Sequence, residues 1–317
     1  MKTIAITGAS GFIGRAVVDR LINAGKYRVS ILIRPGSNIF ANYKNIKIIE
    51  GDINDKETLK LLIEQGSTVL NFAYIHNGGL DRNISATQVL LDTCKMMRIK
   101  RLIHCSTAMV SATGYEDICP ASLPYDHLTE YVKSKILIER NILKFEDYFD
   151  IGIIRPTAVF GPGGKNLIKL LDELKNNFSL LNYIKSCICG NRRMNLVYID
   201  NVVEAFIFLL NYTDKLNSEI FNISDSDSSF NNFRDVERIL MNGIAHREYF
   251  MVPSAFPLKL LSFILTLLGK SNVNLDIDYM PSKLLKLGLC RPVKFEDGLL
   301  RYAQWYLANR RSTANSM

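Results

Sequence analysis

Tyr131 and Lys135 stand one helical turn apart in the segment 130–145, where Val132, Ile136, Ile138, Ile142 and Leu143 recur at helical spacing, so the phenol and the amine share a face. A free tyrosine titrates near ~10. A phenol that must give or take a proton near neutrality therefore needs a cation beside it to favour the phenolate, and Lys135 would supply it. Thr107 follows the short apolar run Arg101-Leu-Ile-His-Cys105 and Ser106, a strand-end position from which its hydroxyl would hold a substrate oxygen in line. The chemistry on offer is proton transfer at a carbonyl or alkoxide oxygen. Tyr-x-x-x-Lys also occurs at Tyr43/Lys47 and Tyr279/Lys283, as a Tyr- and Lys-rich chain produces by chance. Only the pair at 131 and 135 sits in a helical pattern behind a strand.

The elements that must position these groups are legible as an alternation. Strand-like runs at 2–7, 28–33, 46–49, 68–72, 101–105 and 151–155 alternate with helical patterns at 12–24, 56–64, 84–97 and 130–145. This predicts βαβ units and an α/β fold, a Rossmann-type doubly wound parallel sheet covered on both faces. Beyond Gly161-Pro-Gly-Gly164 the pattern loosens into a helix at 166–176, a strand at 196–199, a helix at 201–210 and a strand at 220–223. Asp200 and Asn201 read as caps of that last helix, and Cys187-x-Cys189 as two strand residues.

Gly8, Gly11 and Gly14, with Ser10, Phe12 and Ile13 between them, join the first strand to the first helix. A phosphate-binding turn needs this context, with no Cβ where backbone meets pyrophosphate and free N–H groups at a helix start. A dinucleotide fold selective for NAD offers an acid to the ribose about twenty residues on, but here the second strand ends in Arg34. A guanidinium there can accept a 2′-phosphate, with Ser37 and Lys44 assisting, which favours NADP(H) and leaves NAD(H) open. A solvated turn arginine is the alternative.

The Gly-rich start, Ser106-Thr107, Tyr131/Lys135 and Arg155-Pro-Thr-Ala-Val-Phe-Gly-Pro-Gly163 together resemble the extended short-chain dehydrogenase/reductase family, over residues 2 to about 305. The resemblance implies catalysis by Thr107, Tyr131 and Lys135, with Lys135 also binding the cofactor ribose. It implies adenine contacts from Asp52 and Ile53, a strand end at Phe72, Ala73 and Tyr74 beneath the ribose and nicotinamide, and a cofactor contact from Pro156. Asn83 would support the active-site backbone, an ordinary helix cap being equally open. The implied architecture is a cofactor domain at 1–160 joined by 196–223, and a substrate lobe at about 161–195 and 224–317.

Gly190-Asn-Arg-Arg-Met-Asn-Leu-Val-Tyr-Ile-Asp-Asn-Val202, Asn222-Ile-Ser-Asp225, Val252-Pro253 and Leu268-Gly-Lys270 are similar to the lobe of bacterial 4-keto reductases and epimerases of surface-polysaccharide pathways. That likeness implies a UDP-linked sugar as partner, its diphosphate gripped by Arg193 with Arg192 nearby, a solvated basic turn being the alternative. Ala86, Ala158 and Ser111-Ala112 depart from the family pattern. Ala108-Met109 stand where dehydratases of the family carry an Asp-Glu pair, so dehydration is not expected. Two other readings stay open, a hydroxysteroid- or dihydroflavonol-type reductase of an apolar ketone and a catalytically silent cofactor-binding regulator.

The 317 residues, 48% apolar, suffice for a full core. The net charge of +8 comes from scattered Lys and Arg, which argues against a nucleic-acid partner and suits an anionic ligand. Six cysteines show no zinc or redox spacing, so reduced thiols and no metal are expected. Met1-Lys2 runs straight into a strand, which predicts a protein without a secretory leader, resident in the cytoplasm. The apolar segment 256–268 is too short for a transmembrane span. It reads as a lobe-packing helix, with a membrane surface or a subunit contact, and hence a homodimer, left open.

Overall fold

The computed structural model describes residues 1–111, 128–175, 179–246, 249, 257 and 277–314. The chain clusters into two compact units, Met1–Pro156 with Val203–Asn222 and Ser282–Leu289, and Thr157–Val202 with Ile223–Pro281 and Cys290–Met317. Of the motifs read above, Ala112, Val252-Pro253, Leu268-Gly-Lys270 and all of 256–268 but Pro257 lie outside the described residues.

In the first unit the short apolar runs become β1 (Lys2–Thr7), β2 (Tyr27–Ile33), β3 (Ile46–Glu50), β4 (Thr68–Asn71), β5 (Arg101–Cys105) and β6 (Asp150–Pro156), with β9 (Glu219–Ile223). They form one sheet in the order β3-β2-β1-β4-β5-β6-β9, and the pairings from β3 through to β6 are parallel. A strand apolar on both faces demands cover on both. Helices α1 (Phe12–Asn23), α2 (Lys56–Leu62), α3 (Gly79–Met96) and α4 (Glu130–Leu143) provide it. Ala5, Val69, Leu102 and Ile153 from the strands pack with Leu59 and Leu62 of α2, Leu90 and Leu91 of α3 and Ile138 and Ile142 of α4 in one buried cluster.

The strand order reverses between β1 and β4, and ligands of such sheets bind outside the carboxyl ends at that switch point. The turn after β1 and the segment after β4 are therefore neighbours at the place where a cofactor belongs. At the other end of the sheet the buried Arg101 pairs with Asp150 at 2.6 Å and donates to the carbonyls of Leu209, Tyr212 and Asp214.

The second unit holds a parallel pair, β7 (Ala158–Phe160) with β8 (Leu196–Tyr198), and helices α5 (Ile168–Lys175), α6 (Ser179–Cys189), α8 (Phe233–Gly243) and α10 (Phe295–Ala314). The Phe160 ring packs edge-on against Tyr198, Phe295 and Tyr302. Buried Asp225 accepts from Tyr198 N, Asn201 Nδ2 and Arg291, and Arg291 also holds Asp227. Helix α7 (Ile199–Asn211) begins in this unit and ends in the first.

Two local expectations are corrected. Cys187 and Cys189 lie on α6, not on a strand. The run Leu180-Leu-Asn-Tyr-Ile-Lys-Ser-Cys-Ile-Cys189 carries its apolar residues at helical intervals that the paired cysteines obscure. Helix α7 starts at Ile199, so Asp200 lies in its first turn, and Asn201 spends its side chain on Asp225 and on the Val293 backbone rather than on a cap.

Candidate active site

Helix α1 opens at Gly11, whose side is bare of any capping oxygen, and its first turn carries no acid. The N–H groups of such a start are free for an anion, and the helix dipole favours one. Gly8 adopts φ +69°, and a Cβ there would stand 2.5 Å from both Phe72 C and Ala73 N. A Cβ on Gly14 would stand 2.2 Å from the Gly8 carbonyl oxygen. The turn is thus pressed against the end of β4, with Ser10, Phe12 and Ile13 partly exposed along it. This cradle fits the pyrophosphate of a nicotinamide dinucleotide, which needs backbone approach and N–H donors rather than side chains.

Behind the cradle lies a buried polar chain that sequence reasoning missed. Asn71 Oδ1 accepts from Thr7 Oγ1 at 2.7 Å and from Ala73 N at 3.1 Å, and Asn71 Nδ2 lies 3.1 Å from His104 Nδ1. Because Oδ1 accepts a backbone N–H, Nδ2 must donate, so His104 is neutral with its proton on Nε2. Burial, then the nearby charge of Lys135, holds its pKa well below the usual histidine range. A polar residue inside each of two apolar strands was the available signal. Asn83 clamps the segment after β4: it accepts from Ile75 N at 2.8 Å and donates to the carbonyls of Ile75 and Gly79. It lies inside α3 and is not its cap.

Thr107, Tyr131 and Lys135 converge at the end of β5. Thr107 starts a 3-10 turn, Ala108–Val110, and accepts from Met109 N. Thr129 and Glu130 fix the start of α4. The Thr129 hydroxyl accepts from Val132 N, and the Glu130 carboxylate accepts from Leu80 N at 3.0 Å, binding the start of α4 to that of α3. Tyr131 packs edge-on against Tyr74 at 5.0 Å, and the Tyr74 hydroxyl bonds Ser134 Oγ. Lys135, fully enclosed, donates to the Cys105 carbonyl at 3.0 Å and lies 5.1 Å above the Tyr74 ring. Burial lowers its pKa from the ordinary lysine value, while Cys105 and Glu139 work against that fall.

Burial also dominates the phenol. The Tyr131 pKa is pushed up to about 12 by desolvation, assisted by Cys105 and Tyr74 and opposed by the hydrogen bond of the Thr107 hydroxyl. A phenol in that state is protonated through the neutral range, an acid with a proton to give. Neither of the other Tyr-x-x-x-Lys pairs has this arrangement. Tyr43 donates to Asp19 and Lys47 to the Leu61 carbonyl. Tyr279 precedes the short helix α9 (Ser282–Lys286), on which Lys283 pairs with Glu219.

A second missed group lies one turn beyond Lys135. Glu139 and Arg155 form a doubly hydrogen-bonded ion pair at 3.0 and 2.6 Å, both side chains wholly buried. Tyr131, Lys135 and Glu139 follow at four-residue steps along α4, so this pair anchors the face that carries the phenol. An arginine in a strand otherwise reading Ile151-Gly-Ile-Ile154 was the signal.

The outlying candidates are placed as follows. Arg34 and Lys44 are exposed after β2, with Ser37 N donating to the Arg34 carbonyl. Asp52 accepts twice from Asn54 and lies 3.5 Å from Arg82, and Ile53 packs on the core cluster. Phe72 lies against Phe206, and Pro156 closes β6. Arg192 and Arg193 belong to the second unit, where Arg192 is exposed and Arg193 pairs with Asp278 at 3.1 Å. Among the described residues no group of three His, Cys, Asp or Glu is gathered as a metal site.

Comparison with known proteins shows the family and the fold. The model of the NAD dependent epimerase/dehydratase family matches residues 4–224. Sterol-4-alpha-carboxylate 3-dehydrogenase (decarboxylating) of Mus musculus is 26% identical over 246 residues, covering 71% of this chain and 65% of that protein, a little under two thirds of its length. The dTDP-D-glucose 4,6-dehydratase of Mus musculus is 28% identical over 249 residues, covering 70% of this chain and 68% of that protein. Among solved structures, UDP-glucose 4-epimerase of Thermotoga maritima, with UDP-glucose, superposes with a TM-score of 0.70 at 20% identity over 97% of this chain and 99% of that one. The NAD complex of dTDP-glucose 4,6-dehydratase from Bacillus anthracis gives 0.68 at 17% identity over 98% of each chain.

Proposed function

The chain belongs to the NAD dependent epimerase/dehydratase family, and from that premise we propose that it is an NAD(P)-dependent oxidoreductase acting at C4 of a UDP-linked sugar, a 4-keto reductase or 4-epimerase of cytoplasmic surface-polysaccharide precursors. The observation that carries the reading is the convergence of Thr107, Tyr131 and Lys135 beside the glycine cradle. A bound nicotinamide supplies or removes hydride at the sugar carbon. Tyr131 gives its proton to the alkoxide oxygen, Thr107 holds that oxygen, and Lys135 keeps the local charge positive as the phenolate forms. Ala108-Met109 after Thr107 leaves no carboxyl pair there for dehydration. We assign the diphosphate to Arg193, aided by Arg192, and the cofactor's adenosine end to Asp52, Ile53 and Arg34.

Calorimetry of UDP against the wild type with cofactor present and against Arg193→Ala tests the sugar assignment. The expected result is binding in the wild type, weakened at least about tenfold in the variant because a bidentate guanidinium–phosphate contact is lost, with NADPH binding unchanged. Absence of UDP binding in the wild type would discard the sugar and leave the reductase of an apolar ketone, the reading favoured by the likeness to sterol dehydrogenases. Arg34 decides the cofactor. NADPH is expected to bind more tightly than NADH, and Arg34→Ala should shrink the difference roughly ten- to a hundredfold, the worth of charged hydrogen bonds of about 1.5–3 kcal/mol. Equal affinities in the wild type would make Arg34 a turn residue only.

A further inference from the structure

We propose that the outward face of α6 is an interfacial surface that seats this protein on a membrane carrying anionic headgroups. Leu180, Leu181, Ile184 and Ile188 are 61%, 63%, 43% and 37% exposed. At about 100° per residue these four positions fall within an arc of about 100°, a continuous apolar stripe rather than scattered surface residues. The opposite side of the helix is engaged at Ser186, which is fully buried, and on the flank of the stripe the Tyr183 ring packs edge-on against Tyr249 at 5.6 Å. The stripe is therefore the side that the described residues of the second unit leave exposed.

Charge selects the occupant. Residues 165–193, which include α5 and α6, carry six cations against two acids, Asp172 and Glu173. Lys185 is paired with Glu173 and Arg193 with Asp278, which leaves Lys165, Lys169, Lys175 and Arg192 exposed. Both acids are already held within the unit, Asp172 by Tyr306 and Arg310 and Glu173 by Lys185 at 2.5 Å. A stripe of four side chains is much narrower than the interface of a stable dimer, which buries about 800 Å² on each partner. An interfacial helix needs only to sink such an arc among headgroups while neighbouring lysines reach lipid phosphates. Among the described residues no helix is long and apolar enough to cross a membrane; the association proposed is a peripheral one.

Co-sedimentation with vesicles of phosphatidylcholine alone and of phosphatidylcholine and phosphatidylglycerol in equal parts tests this. The wild type should pellet with the anionic vesicles and be released by salt. The double variant Leu181→Ser/Ile184→Ser should lose about tenfold or more in partition coefficient through two lost apolar anchors. Lys169→Gln/Lys175→Gln should bind anionic vesicles more weakly and with a flatter salt dependence. NADPH binding, measured in each variant, shows that the fold is intact. The proposal is overturned if the wild type stays in the supernatant, or if the serine variant pellets as the wild type does. It is equally overturned if the stripe mediates a dimer that the serine variant dissolves while vesicles bind neither protein.

Discussion

Tyr131→Phe is expected to lower kcat by about 10⁴, the upper end of what a positioned proton-transfer group contributes, while the dissociation constant for NADPH stays near that of the wild type. The ring and its edge-on contact with Tyr74 survive, and only the proton is removed. Thr107→Ala, which removes the donor to the phenol and leaves the phenol itself, should cost less, about 10². The pH profile gives a second readout. With the phenol pushed up to about 12, kcat for reduction should hold level through the neutral range and fall only as alkali removes the proton, and the phenylalanine variant should lack that alkaline limb. Full turnover in Tyr131→Phe would end the mechanism. Tyr279→Phe serves as the control and should match the wild type, since its Tyr-x-x-x-Lys spacing lies outside a helical face.

Glu139→Ala should cost about 3–5 kcal/mol of stability, the usual price of removing one member of a buried ion pair. Both side chains are fully enclosed, so solvent cannot take over for the missing carboxylate. Urea unfolding, followed in the wild type, Glu139→Ala and the double variant Glu139→Leu/Arg155→Met, checks it. The double variant should regain most of the loss, because an apolar replacement of similar volume removes the remaining charge as well as its partner. A change below about 1 kcal/mol in the single variant would mean that water or a backbone shift rescues Arg155, and that the pair has no part in holding the face of α4.

The strands, the helices and the shared face of Tyr131 and Lys135 were legible because each rests on local periodicity; Thr107 is expected there from its strand-end position and the family resemblance. The parallel strands and the glycine turn follow from short apolar runs and from glycine spacing. The strand order does not, and of the stretch 196–223 expected to return to the sheet only β9 does so as a strand, β8 pairing instead with β7. What sequence left hidden depends on contacts distant along the chain. Asn71 and His104 look like impurities in apolar strands until β4 and β5 are laid side by side and the two side chains meet. Glu139 reads as one more helical charge until β6 brings Arg155 against it. Lys135 shows another limit. Spacing places it beside the phenol, yet its hydrogen bond goes to the Cys105 carbonyl and burial dominates the phenol's titration. Helix α6 escaped for a third reason, since two cysteines at alternating positions imitate a strand within a helical stretch.

The binding of Arg101 to three carbonyls more than a hundred residues further on bears on the order in which this protein is made. A nascent chain that has emerged only as far as Pro156 owns six of the seven strands. It cannot yet close the β6 edge with β9, nor satisfy the guanidinium at the base of the sheet. Such an edge is a template for the wrong partner until residues 209–223 arrive. Synthesis at about 5–20 residues per second makes that interval several seconds long. The vulnerable period for aggregation therefore falls midway through translation, and slowing the ribosome between codons 157 and 223 would lengthen it.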